Sequence, residues 1–354
     1  MPLIAGQDLK NLASEIYQAV GTSEIEARHV ADFQVGANLN GHDSHGVILL
    51  PGYVRSIQRG AIKPGSSIEI VKETQATAVV DGHWGFGQTL AKQAMELAIA
   101  KAKQSAVSSV TLFHTNHVAR LADYTLMASS QGMIGMMTVN GGGLSAQVVP
   151  YGGVVGRLGT NPLSIAIPSD LEAPIFLDMA TSVVANGKVF VQKNRGLSAP
   201  DGWLIDSEGN PTNDVGAFFS TPKRANLLPA GGVAGHKGYG LAFMVDILSG
   251  ALSGAGVSRE NAERFDNGSF FVVLNVEAFR PLEEFKSEVH QLVRYMKATP
   301  TAPGITEVLY PGEKEFKERQ KREREGIPIE EVTWKSILDI VKELRLEDKV
   351  PTVD

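Results

Sequence analysis

From residue 107 onward the chain runs as short apolar stretches, 110–113, 134–139, 163–167 and 175–177, set apart by glycines. Such stretches have the length of strands, and segments of helical periodicity lie between or after them at 120–131 and 183–194. Strands alternating with helices restrict the fold to an α/β arrangement, a sheet with helices covering it. Strands at 68–71 and 76–80 and a helix at 88–104, with Leu90, Ala94, Leu97 and Ala98 on one face, precede this region. A helix over 241–253 and a strand over 270–276 follow it. The run Asp206-Ser207-Glu208-Gly209-Asn210 signals a surface hairpin.

The two ends read differently. Leu9, Leu12, Ile16 and Val20 recur at helical spacing, and a second amphipathic run begins after Gly21 and Thr22. The last part reads as two or three polar helices. The expected layout is a helical segment over 1–75, an α/β region over 76–280, and a helical segment over 281–354 that packs with the first. With 354 residues the chain has room for two domains.

A net charge of -6 argues against nucleic acid as the main partner. The basic cluster Lys317, Arg319, Lys321, Arg322 and Arg324 is interleaved with glutamates and reads as a solvated helix face. The absence of cysteine excludes disulfides, thiolate nucleophiles and cysteine metal sites. The N-terminus lacks the basic and apolar regions of a signal peptide, and no apolar run reaches the roughly 18 residues of a membrane span. The expected setting is the cytoplasm, with no membrane partner.

The chemistry concentrates in a few places. Gly41-His42-Asp43-Ser44-His45-Gly46 sets two imidazoles, a carboxylate and a hydroxyl between glycines, after one helical pattern and before an apolar stretch. A capping turn accounts for Asp43 or Ser44 but not for both histidines, and histidine gives and takes protons near neutral pH. His114-Thr115-Asn116-His117 follows the strand over 110–113, at the kind of strand end where α/β proteins hold ligands. His114 reads as an ordinary core or surface residue. His117 and Arg120, three apart, can face one pocket. The glycine-rich stretch of 141–143 and 151–162 allows a close backbone approach to a ligand. In Gly235-His236-Lys237-Gly238-Tyr239-Gly240, opening a helix, Lys237 reads either as an anion ligand or as a surface lysine in a turn. Asp178-Met179-Ala180-Thr181-Ser182 is a strand end with a carboxylate able to bind ribose hydroxyls. No G-x-G-x-x-G, Walker A, G-x-S-x-G or H-E-x-x-H pattern occurs, so a Rossmann site is not supported. Residue chemistry alone describes an α/β enzyme with a histidine acid/base pair and a glycine-lined, anion-binding cleft.

Taken in order, Ser44-His45-Gly46, Asn116-His117, Gly159-Thr160-Asn161-Pro162, Leu177-Asp178-Met179-Ala180-Thr181, Lys237-Gly238-Tyr239-Gly240 and Pro311-Gly312 resemble the malate/L-lactate dehydrogenase family that lacks a Rossmann fold. The longer forms around His42 and His236 look most similar to its hydroxycarboxylate dehydrogenase B branch. The resemblance implies a mixed-sheet, non-Rossmann nucleotide-binding domain beside a helical domain built from both terminal segments. It implies interconversion of a 2-hydroxy acid and a 2-oxo acid with NAD or NADP, NAD being favoured, in a homodimer with no metal. Ureidoglycolate or sulfolactate dehydrogenase and cyclic imine reductase are the alternatives within the family.

Position by position, His45 and His117 are the implied acid/base residues. Ser44, Leu49, Arg120 and Thr160 fall on the substrate side. Asn140, Asp178, Met179, Ala180, His236, Lys237, Gly312, Glu313 and Lys314 fall on the cofactor side. Leu49 is a departure, because family members often carry arginine there, and Arg120, then Arg157, is the expected replacement for that carboxylate clamp. Two readings from other classes use the same residues. One is a metal-dependent hydrolase built on His42, Asp43, His45 and His117. The other is a small-molecule binding protein without turnover.

Overall fold

The computed structural model describes residues 1–221, 224–262 and 264–351. Its helices are α1 (Gly6–Ala19), α2 (Glu24–Leu39), α3 (Leu50–Gln58), α4 (Gly87–Ser105), α5 (Ala122–Ser129), α6 (Asn186–Asn194), α7 (Val215–Phe218), α8 (Gly235–Asp246), α9 (Leu282–Lys297), α10 (Glu313–Glu325) and α11 (Glu331–Leu344). Its strands are β1 (Leu3–Ile4), β2 (Glu69–Glu73), β3 (Thr77–Asp81), β4 (Val107–Phe113), β5 (Met133–Val139), β6 (Leu163–Ile167), β7 (Ile175–Met179), β8 (Leu204–Ile205), β9 (Pro211–Thr212), β10 (Asn226–Leu227), β11 (Ser269–Asn275) and β12 (Ile327–Pro328).

The apolar residues read at helical spacing near the N-terminus, Leu9, Leu12 and Ile16, are fully buried on α1. They share a core with Val30 and Val35 of α2, Leu50 of α3, and Ile337, Ile340 and Val341 of α11. The antiparallel pairing of Leu3 with Pro328 and Ile4 with Ile327 ties the two ends together. Ser23 caps α2 by accepting from the Glu26 N–H. Helices α1, α2, α3 and α11 therefore form one helical layer; β2, inside the expected helical segment 1–75, instead joins the large sheet, and α9, inside 281–354, lies against Gly132 and Asp170.

The large sheet has seven strands in the order β2-β3-β4-β11-β5-β6-β7. Strands β3 and β4 are parallel; every other neighbouring pair is antiparallel. The late strand β11 lies between β4 and β5, with Phe271 paired to both Val110 and Met137. Leu90, Ala94, Met95 and Ala98 of α4 pack on Val110, Leu112, Met137, Phe271 and Val273 of the sheet. This is the mixed, non-Rossmann α/β sheet the resemblance implied. A smaller sheet, β10-β8-β9, contains the expected hairpin, whose turn is held by Asp206 Oδ1 accepting from the N–H groups of Glu208 and Asn210, both at 2.9 Å.

Two elements differ from the sequence reading. The helix expected over 241–253 starts at Gly235 and continues beyond Asp246 as wider turns over Ile247–Ala251. Its inward face is Gly238, Ala242 and Val245, while Leu241, Met244, Leu248 and Leu252 are 37–57% exposed. The apolar periodicity was real, but most of it points out of this chain. On α10, Arg322 is buried and bonds Asp43, so the basic cluster is not solvated throughout. No helix among the described residues is long and apolar enough to cross a membrane.

Candidate active site

The Gly41–Gly46 stretch is held from behind by its two neighbours in the fold. The Asn38 amide donates to Asp43 Oδ1 at 2.8 Å and its oxygen accepts from the Val47 N–H at 2.9 Å. Arg322 bonds both Asp43 oxygens, at 2.6 and 3.1 Å. Asp43 is thus an anchor, its lone pairs occupied by a guanidinium fork. The short helical turn over Asp43–His45 then directs Ser44 and His45 to the other side, where Ser44 Oγ lies 3.0 Å from His45 Nδ1. Helix α6 packs directly on this turn: a side-chain carbon at Gly187 would sit 2.6 Å from Ser44 Cβ, so only glycine fits.

His117 arrives from the loop after β4. Asn116 pins that loop by donating to the carbonyls of Trp84, Gly85 and Ala61 at 2.8, 3.0 and 3.2 Å. The His45 and His117 rings lie nearly parallel, with centroids 5.6 Å apart and planes at 21°. Tyr53 of α3 fixes His117: its Oη is 2.8 Å from Nδ1 and 3.2 Å from the His117 carbonyl. Gln88, fully buried, donates to the same Oη at 3.1 Å. One arrangement satisfies all three contacts: Tyr53 accepts from Gln88 and from Nδ1–H and donates to the carbonyl. The nitrogen left free to exchange a proton is then Nε2.

Burial pushes the His117 pKa down to about 4. His45 is held well below the ordinary value by burial first, and then by the charges of His117, His42, Arg120 and Lys188. Burial raises the Tyr53 pKa, so its phenol keeps its proton.

The two imidazoles border a cavity of about 700 Å³. Ser44, Leu49, Asn140 and Thr160 line it with them, and among the described residues no aspartate or glutamate does. Leu49 therefore does face the pocket, alongside Ile48, Phe190 and Phe219. Arg120 does not line it, although its neighbours Ala119 and Leu121 do. Its guanidinium is 3% exposed, pairs with Asp123 at 2.5 Å and lies 4.9 Å from the Phe176 ring centre. The expected direct clamp is thus not met at Arg120, because an i,i+3 partner draws the side chain aside. Its contribution to the cavity is its charge.

The other cofactor-side residues gather around the end of edge strand β7, apart from the cavity wall. Asp178 Oδ2 accepts from the Ala122 N–H at the start of α5, at 2.8 Å, and burial raises its pKa despite Arg120. The Pro311 carbonyl accepts from the Phe176 N–H, and Gly312 sits at φ +96°. A side-chain carbon there would lie 2.2 Å from the Pro174 carbonyl oxygen. Glu313 is engaged by Lys297 at 2.5 Å and by the Tyr310 N–H at 3.2 Å, while Lys314 is exposed. The stretch holding Met179 and Ala180 continues to Thr181, whose carbonyl accepts from the Ala230 N–H near the start of α8. There Lys237 is exposed, and His236 rests on Tyr151 with ring centroids 5.7 Å apart.

Several buried polar atoms have no partner among the described residues: Arg120 Nε and Nη2, Asn140 Oδ1 and Asn161 Oδ1. Both asparagine amides donate to Asp246 Oδ1, at 3.2 and 3.4 Å, which turns their oxygens away from it. Unpaired amide oxygens on the cavity-lining Asn140 and Asn161 suit an N–H donor. A nicotinamide carries one in its carboxamide, so the residues present fit such a group, with Arg120 contributing its charge from behind the wall. Among the described residues no group of three or more His, Asp and Glu is placed to hold a metal ion, and Asp43 is already taken by Arg322. The hydrolase reading therefore lacks a donor set.

Sequence reasoning missed Tyr53, Gln88 and Asp246, and it quoted Asn161 only within the Gly159–Pro162 motif, without a role. Tyr53 had a signal, since it lies one helical turn after Leu49. Gln88 had none, because only the tertiary fold brings α4 to α3.

A family model described as malate/L-lactate dehydrogenase matches residues 4–338. Malate dehydrogenase of Pyrococcus abyssi (strain GE5 / Orsay) is 39% identical over 349 residues, covering 96% of this chain and 93% of that protein. Hydroxycarboxylate dehydrogenase B of Escherichia coli O157:H7 is 33% identical over 348 residues, covering 97% and 94%. The crystal structure of malate dehydrogenase from Entamoeba histolytica superposes with a TM-score of 0.90 at 32% identity, covering 97% of this chain and 98% of that one.

Proposed function

We propose, from the premise that this chain belongs to the malate/L-lactate dehydrogenase family, that it interconverts a 2-hydroxy acid and a 2-oxo acid with NAD or NADP. The observation that carries the reading is the Gln88–Tyr53–His117 chain ending at a cavity that no acidic residue lines among the described residues. A bound nicotinamide would supply or accept the hydride. Asn140 and Asn161 would hold its carboxamide, with Asp178, Met179, Ala180, His236, Lys237, Gly312, Glu313 and Lys314 along its remainder.

The chain's own part is the proton and the carboxylate. His117 is the acid and base, acting at Nε2 while Tyr53 keeps Nδ1 protonated, the orienting role of a third group in a triad. With the cavity empty its imidazole is neutral near pH 7. A substrate carboxylate beside it favours the imidazolium and raises its pKa, so ligand binding itself charges the acid. His45, oriented by Ser44 and with its pKa held well below the ordinary value by burial, serves as a neutral hydrogen-bonding partner of the carbonyl. The carboxylate is placed at the start of α6, where Ala185, Asn186 and Gly187 line the cavity and no side chain caps the helix. Thr160 borders the same space, and Leu49, Ile48 and Phe190 offer the substrate tail an apolar wall. That wall favours 2-oxo acids with bulky apolar tails over short diacids.

The exposed apolar face of α8 supports the homodimer reading. Leu241, Phe243, Met244, Leu248 and Leu252 together form a surface that a second copy would cover. The decisive test is a panel of 2-oxo acids with NADH and NADPH in parallel, followed at the nicotinamide absorbance. Turnover of none of them would refute the dehydrogenase reading.

A further inference from the structure

We propose that Arg59 forms a second anion subsite at the far end of the cavity, selecting 2-oxo acids that carry another carboxylate beyond an apolar spacer; this rests on the dehydrogenase reading above. The cavity is longer than the proton-exchange chemistry needs. One side of it is a single face of α3 and its flanks: Leu49, Tyr53, Ser56 and Arg59 line it at successive spacings of four, three and three residues, with Gly52 beside them. Tyr53 marks the His117 end. Arg59, six residues on, stands about 9 Å further along the helix axis, at 1.5 Å per residue.

The charge along this face is distributed unequally. Arg55 also lines the cavity, but Glu343 neutralises it through both oxygens, at 2.6 and 2.5 Å. Arg59 has no carboxylate within 4.0 Å among the described residues. Its one side-chain partner is Ser56 Oγ at 2.9 Å, and Ser56 in turn donates to the Gly52 carbonyl at 2.8 Å. That relay folds the guanidinium back over the cavity-lining face and leaves most of its donors unused. Between the two ends the wall is apolar, formed by Ile48, Leu49, Phe190, Phe219 and Val332. Among the described residues no acidic one lines the space, so those residues present a dianionic ligand with no like charge.

The three parts specify a ligand. Its 2-oxo group lies at His117, its spacer on the apolar wall, and its distal carboxylate on Arg59. A short diacid fails this geometry, because its second carboxylate falls against Leu49 where no cation stands. A long one reaches the guanidinium, which suits a carboxylate bidentately. Arg59 is exposed, so water screens the pair and its effect belongs at the low end of charged hydrogen bonds.

The test compares kcat/KM for 2-oxoadipate and 2-oxosuberate with kcat/KM for 2-oxohexanoate and 2-oxooctanoate, in the parent and in Arg59→Gln, Arg59→Lys and Arg59→Glu. The diacid-to-monoacid ratio is expected to fall about tenfold in Arg59→Gln, to fall further in Arg59→Glu, and to recover in part in Arg59→Lys. NADH affinity and thermal midpoint, measured alongside, show that each variant is folded. Turnover of the monoacids with an identical ratio in parent and Arg59→Gln overturns the subsite while leaving the dehydrogenase reading intact. Turnover of no 2-oxo acid by the parent overturns that reading, and the subsite with it.

Discussion

Replacing Tyr53 by phenylalanine tests the proton-transfer arrangement most directly, because it removes one oxygen and leaves the ring in its packing. That oxygen serves three groups: His117 Nδ1 at 2.8 Å, the His117 carbonyl at 3.2 Å and the Gln88 amide at 3.1 Å. Gln88 is fully buried and its own oxygen is already unpartnered, so the amide cannot find a substitute by turning over. When His117 becomes imidazolium in the variant, its Nδ1–H lacks the acceptor that Tyr53 supplied. A hydrogen bond to a charged group is worth about 1.5–3 kcal/mol, and each 1.36 kcal/mol is a factor of ten in rate. The expected loss in kcat is therefore roughly 10- to 150-fold. KM for the nucleotide should hardly move, since Tyr53 does not belong to the residues placed on the cofactor. Losing the acceptor destabilises the charged form, so the kinetic pKa of the acid should also shift downward. The assay is steady-state reduction of a good 2-oxo acid between pH 5 and 9, in Tyr53→Phe and in a Gln88→Leu companion that leaves the phenol in place. A kcat within twofold of the parent, with an unshifted pH profile, would refute the role assigned to Tyr53.

Three further outcomes are expected. Leu49→Arg should shift preference toward oxaloacetate over phenylpyruvate, because it places a cation on the wall Leu49 now forms; an unaltered ratio of kcat/KM would remove Leu49 from specificity. Arg322→Met should destabilise the fold by about 3 kcal/mol, the effect of leaving one partner of a buried ion pair behind, since it strips Asp43 of both guanidinium contacts; chemical denaturation showing under 1 kcal/mol would contradict the anchor role. Finally, His117 has a folded pKa of about 4 against an ordinary value near 6.5, and His45 shifts the same way. Between those values the unfolded chain binds more protons, so stability should be full above about pH 6.5 and decline as pH falls toward 4. His117→Gln should flatten that decline in a thermal-melt series, and an equally steep decline in the variant would argue against a neutral buried His117.

Much of the site was legible because its residues announce themselves locally. His45, Ser44 and His117 stand at element boundaries, and the structure brings all three to one cavity with Leu49, Asn140 and Thr160. Arg120 shows where local reading fails. Its spacing from His117 allows a shared pocket, but a carboxylate three residues later competes for the guanidinium and wins. Asp43 shows the same in reverse: beside two histidines it looks chemical, and an arginine 279 residues away makes it structural.

The sequence by itself determined the class of fold and which side chains are candidates for proton exchange, because hydrophobic period and side-chain chemistry are local properties. The strand order, with β11 inserted between β4 and β5, was beyond it, since long-range pairing leaves no mark on a short apolar run. Periodicity on α8 revealed an apolar face without saying whether that face turns inward or out. The tautomer of His117, the neutralisation of Arg55 and the freedom of Arg59 were also decided by tertiary structure alone. Each depends on which groups meet across the fold, and a titratable side chain acquires its function only from the partners that burial gives it or withholds.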